Sequence, residues 1–185
     1  MSCHIDSPGQ SLGIPVPSDG YCPLWDNDIP QEARGPPFVK WISSYFKHGD
    51  LSSRDFYQLA QREVDTSKTP TIETIPQEEL LTITDFVPGI HAETGILSEI
   101  EFSSILDKQT MKALLDPQVR EDWGGHPVWL LYGEATAWNI LHGAWELEKK
   151  FKASDVNFKS IPGANHFVRR FFCPSICSEI LFHNS

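Results

Sequence analysis

Long apolar runs are missing from this 185-residue chain. No stretch approaches the roughly 18 consecutive apolar residues that a membrane-spanning helix needs. The first residues, MSCHIDSPGQ, carry neither the basic nor the apolar part of a secretory leader. A soluble, cytoplasmic protein is the expectation. Positive charge is also scarce, with 15 Lys and Arg against 25 Asp and Glu for a formal net charge of −10. That balance repels phosphate backbones, and the pair Arg169 and Arg170 is too small to reverse it, so nucleic acid is not expected as a partner. Cysteine is sparse: Cys3, Cys22, Cys173 and Cys177 are the only four, they sit near the two ends, and they are too few for a disulfide scaffold. Reduced thiols are expected.

What is present is the composition of a packed domain, 40% apolar and 22% charged. A chain of this size can bury roughly two-thirds of its unfolded surface in one core. Residues 1–30 are dense in turn formers (SPGQ, GIPVP, PSDGYCP, DNDIP), which excludes a long helix and reads as a Pro-rich connecting segment. Residues 31–123 read as a mainly helical region. Phe38, Trp41, Ile42, Tyr45 and Phe46 form an amphipathic stripe that begins after Pro36 and Pro37. SSRDFYQLAQREV predicts a second helix with Phe56, Leu59, Ala60 and Val64 on one side. QEELLTITDF, GILSEIEFSSIL and QTMKALLD predict further short ones, broken near Pro88, Gly95 and Pro117.

The pattern changes over 124–170. VWLLY, Val128 to Tyr132, is a buried-strand signature between GGHP and Gly133. An amphipathic helix follows from Thr136 to Lys152, with Trp138, Leu141, Ala144, Trp145 and Leu147 inward and the pairs Glu146–Lys150 and Glu148–Lys152 at i,i+4 spacing. VNFKSI, Val156 to Ile161, is then a strand. Strand, helix and strand make one βαβ unit with a parallel pair, and residues 171–185 form an atypical tail. Two parallel strands cannot stand alone, and no other buried strand is evident upstream, so the sheet reads as incomplete.

WLLYGEATAW, a helix and FKSIPGANHF together resemble the C-terminal end of the α/β-hydrolase fold. The resemblance implies an α/β class, an incomplete α/β-hydrolase fold with a helical lid over 31–123 and the seventh and eighth strands in 124–170. It places the triad acid in the turn after the seventh strand and the histidine in the loop after the eighth, which match YGEAT and GANHF. His166 would then be the general base that takes the nucleophile's proton and later protonates the leaving group. The family usually carries the acid about three residues after the turn glycine, where this chain has Thr136, and Glu134 is the nearest carboxylate. Either Glu134 reaches His166 or the triad has lost its acid, because threonine cannot carry the charge that stabilises an imidazolium.

The letters G-x-S-x-G occur once, as GQSLG at Gly9 to Gly13. A nucleophile elbow needs a buried strand before it and a helix after it. Here polar residues and Pro8 precede it, and Pro15 and Pro17 follow, so Ser11 is read as a turn residue. On this reading the elbow, the oxyanion hole and the first strands lie outside the chain, which is a fragment or shortened relative, inactive alone. The expected activity of the complete form is hydrolysis of small apolar esters or related molecules, esterase-like or epoxide-hydrolase-like. The alternative is a non-catalytic pseudoenzyme or module that binds a small apolar molecule or a protein, with self-association through an exposed edge of VWLLY. No cofactor is expected, and no metal: Cys173, Cys177 and His183 lack a fourth ligand, and no HExxH pattern occurs. Trp25, Phe38, Trp41 and Tyr45 either line an apolar pocket or are plain core.

Overall fold

The computed structural model describes residues 2–83, 100–152 and 156–167. Its centre is a three-stranded parallel sheet in the order β1 (Ser2–Ile5), β2 (Val128–Gly133), β3 (Val156–Ile161). Ser2 stands opposite Val128 and Ile5 opposite Leu131, while Val128 stands opposite Val156 and Gly133 opposite Ile161. The fold is mixed α/β, and β1 supplies the third strand that the sequence pattern does not reveal. The VWLLY run is therefore central and paired along both edges, which corrects the expectation of an exposed edge there. Four residues of mixed polarity, SCHI, carry no hydrophobic signature, but backbone pairing needs none.

The helix that links β2 to β3 forms over Trp138–Lys150 (α5 in chain order). All five residues expected to face inward, Trp138, Leu141, Ala144, Trp145 and Leu147, are buried. One face joins Trp41, Phe46, Leu59 and Tyr132 in an aromatic-rich cluster; Leu147 and Phe151 join Val128, Leu130, Val156, Ile14 and Leu114 in a second. The charged face pairs differently from the i,i+4 expectation. Glu146 meets Lys149 at 2.6 Å, Lys150 reaches Asp107 at 2.6 Å, and Glu148 holds Arg54 at 2.8 Å. Lys150 and Glu148 are taken by tertiary partners and Glu146 by an i,i+3 neighbour, since an i,i+4 pair contributes only a few tenths of a kcal/mol.

In the preceding region α1 forms over Gly35–Ile42 with proline in its first turn, and α2 over Gln77–Ile83. α3 runs unbroken through Ile100–Leu115, where two separate helices were expected, since no glycine or proline intervenes. Asp116 then accepts from the amides of Gln118 and Val119 and starts α4, Pro117–Asp122. The helix expected over SSRDFYQLAQREV does not form. Asp50 accepts from the Ser52 amide, Asp55 accepts from the Tyr57 amide, and Arg54 turns left-handed at φ 54°. These local side-chain bonds trap two single 3₁₀ turns, Leu51–Ser53 and Phe56–Gln58, in place of a helix. Val64 instead bridges Phe46 in antiparallel fashion. The breaks expected near Pro88 and Gly95, the pair Arg169 and Arg170, and the 171–185 tail with Cys173, Cys177 and His183 lie outside the described residues. Among the described residues, no helix is long and apolar enough to cross a membrane.

Candidate active site

Asp6 directly follows β1, and its amide still donates to the Leu131 carbonyl across the sheet at 2.7 Å. Its backbone then turns left-handed, φ 52°, a conformation that aspartate tolerates better than most residues. That turn points the carboxylate across the end of the neighbouring strand, where it is 3% exposed and fully engaged. Oδ1 accepts from the Gly133 amide at 2.9 Å, and Oδ2 accepts from the Thr136 hydroxyl at 2.8 Å. His166 Nδ1 lies 2.9 Å from the same Oδ2. A carboxylate only accepts, so Nδ1 carries a hydrogen and Nε2 is the ring nitrogen left for proton exchange with another group.

The loop after β3 holds the histidine in this position. Gly163 is left-handed at φ 68° and reverses the chain. Asn165, 1% exposed, donates to the Ser43 carbonyl and the Thr71 hydroxyl, both at 2.7 Å, and accepts from the Phe167 amide. This one side chain pins the loop to the helical region. Gly133 explains itself by close approach: a Cβ there would lie 2.2 Å from the Ala164 carbonyl oxygen, so the loop packs directly on the strand end. The Ala135 amide completes the seam by donating to Ala164 at 2.8 Å. The His166 side chain is 30% exposed, with the Phe167 ring edge-on against it at 5.4 Å.

Glu134 is not the carboxylate beside His166. Its Oε1 accepts from the Ser160 hydroxyl at 2.7 Å and its amide donates to Ile161, so it ties the β2 turn to β3. Ser11 sits on an exposed 3₁₀ turn, Gly9–Leu12, with its hydroxyl donating to the Pro8 carbonyl at 2.7 Å. The two glycines of GQSLG are packing devices. A Cβ at Gly9 would lie 2.9 Å from the Gly143 Cα of α5, and one at Gly13 would lie 2.1 Å from the Asp107 amide of α3. Among the described residues, no serine, threonine or cysteine is hydrogen-bonded to His166.

His48 connects this centre to the helical region. Its Nδ1 accepts from the Ala60 amide at 3.0 Å, which forces the hydrogen onto Nε2, and Nε2 donates to the Thr136 carbonyl at 2.9 Å. Burial pushes its pKa down, opposed by that carbonyl. A groove of about 560 Å³ lined by residues of 18–27 and 59–63 contains none of the Asp6, Thr136, His48 and His166 side chains. Within it Arg62 lies 3.5 Å over the Tyr21 ring, and burial pushes the Cys22 thiol up to about 11. Trp41 belongs to the core, packed against Tyr21, Phe38 and Phe46. Among the described residues, no group of three His, Cys, Asp or Glu side chains is placed to hold a metal.

Comparison with known protein families, with curated proteins and with solved structures gives no match for this chain. The site is therefore read from its geometry. Asp6 is the residue that sequence reasoning missed. The usable signal was the unpaired requirement of the parallel sheet: a third strand had to exist, and Ile5-Asp6 before the Ser-Pro-Gly turn is where a strand could end on an acid.

Proposed function

We propose that Asp6 and His166 form the acid and general base of an α/β-hydrolase-type centre, acting on small apolar esters or related molecules. The observation that carries this reading is the short contact between a buried carboxylate and a half-open imidazole at the ends of parallel strands. The parallel order β1, β2, β3 is compatible with the sixth, seventh and eighth strands of that family, and residues 31–123 come between β1 and β2 in the chain, as a lid comes between the sixth and seventh. His166 Nε2 accepts the proton of a nucleophilic hydroxyl as that oxygen attacks the substrate carbonyl. Asp6 stabilises the imidazolium that results, and Nε2–H then protonates the leaving oxygen. Proton transfer of this kind contributes about 10²–10⁴-fold in rate. The hydroxyl itself belongs to a group outside the described residues, since Ser11 is tied into its own turn.

Fluorophosphonate labelling with peptide mass mapping, run alongside p-nitrophenyl ester turnover, tests this. The chain expressed alone is expected to show no adduct at Ser11 and no turnover dependent on His166. The protein recovered with its native associates is expected to hydrolyse the esters and to lose that activity in the His166→Gln and Asp6→Asn variants. An adduct at Ser11, or native turnover indifferent to His166→Gln, would sink the proposal.

A further inference from the structure

We infer that Thr136 is a positioning residue for the Asp6–His166 pair, acting on the imidazole through the carboxylate. The inference rests on the reading of that pair as a proton-transfer unit. A carboxylate's terminal torsion is broad and roughly two-fold, so a single donor does not fix its plane. Here Gly133 N–H holds Oδ1, and the Thr136 hydroxyl shares Oδ2 with His166 Nδ1, so both lobes are engaged. The plane of the carboxylate, and with it the direction offered to the imidazole, is set before any substrate arrives.

Thr136 is itself immobile. It is 0% exposed, and its carbonyl accepts from His48 Nε2 while its hydroxyl donates to Asp6. Its β-branched side chain restricts χ1 to few rotamers. The helix that follows has Ala137 as its N-cap and no side-chain cap, and the neighbouring Thr136 hydroxyl is directed to Asp6 and not to the helix amides. At the position where the resemblance expects an acid, the chain carries the donor that holds an acid arriving from the neighbouring strand. The imidazole thus meets a carboxylate held by a donor from the turn after β2.

The test is proton exchange at His166 in the ¹⁵N-labelled full chain at low temperature, with the Nδ1–H resonance assigned by its disappearance in His166→Gln. Thr136→Val is expected to speed exchange of that proton with water by about tenfold, the change that one hydrogen bond of ordinary net strength gives. Thr136→Ser is expected to restore slow exchange, which a loss of packing alone would not produce. Should Thr136→Val fail to fold, the wild-type chain decides. Cross-relaxation between the Thr136 hydroxyl proton and His166 Nδ1–H is expected, because both bond one oxygen, and its absence overturns the inference. Unchanged exchange in a folded Thr136→Val also overturns it. A protected Nδ1–H together with native ester turnover indifferent to His166→Gln leaves the positioning intact and removes the hydrolase reading.

Discussion

The sheet with its crossing helix and the 43–75 stretch are built on different principles. In the first, apolar residues recur at the period of the element: VWLLY makes the central strand and α5 presents Trp138, Leu141 and Trp145 to one core. In the second, elements are short and held by local side-chain bonds, as at Asp50, Asp55 and Asp65, the last accepting from the Ser67 amide and hydroxyl. The stretch is nonetheless ordered against the sheet by a few long-range bonds, including Phe46 N–H to the Ala135 carbonyl and Asn165 to Ser43. Periodicity fixes a layer from within, whereas turn chemistry fixes a segment only once the layer exists to receive it.

That contrast can be broken most forcefully in the layer. Leu141→Ala empties a fully buried position and is expected to cost about 2–5 kcal/mol, read as a shift in urea midpoint with unchanged slope. Gly133→Ala drives a Cβ against the Ala164 carbonyl and is expected to cost about 1–3 kcal/mol by the same measurement. It should also expose the His166 loop to faster amide exchange. In the stretch, Asp55→Ala removes one cap and is expected to cost about 1 kcal/mol without altering exchange in β2 or α5. An equal loss of protection in both regions would show that the two are one cooperative unit and erase the distinction.

The gentlest probe is pH, through His48 at the seam between the two. Burial depresses its pKa in the folded chain, and burial does the same for His142, opposed by Glu146. A histidine depressed on folding stabilises fully above its unfolded value of about 6.5 and loses that contribution as pH falls from there toward the folded value. Urea midpoints are therefore expected to decline from pH 7.5 to pH 5. His48→Gln should flatten part of that decline, and an unchanged profile would remove His48 from the seam.

Legibility in the sequence follows the same division. β3 spans the residues expected, β2 gains only Gly133, and α5 starts two residues after Thr136; for β2 and α5 the reason is that extensive burial leaves a pattern of apolar positions. SSRDFYQLAQREV shows a helical spacing of Phe56, Leu59 and Ala60 but folds into turns, since aspartates that bond the next amides compete with the helix. The placement of His166 in a loop after a strand was legible. Asp6 was not, because its role depends on a strand recognisable only by pairing and on a left-handed turn that no periodicity encodes. Ser11 shows the converse, a motif whose glycines answer to the helices they touch.

The contact between Asp6 and His166 spans 160 positions. Loop closure over that distance costs little more at equilibrium than over half of it, about 0.6 kcal/mol per doubling, but contacts of such separation come late in folding. During synthesis β1 leaves the ribosome before β2, and the Asp6 carboxylate has no imidazole partner until the loop carrying His166 follows. The contact is thus a late one, because it joins the residue that follows β1 to the loop that follows β3.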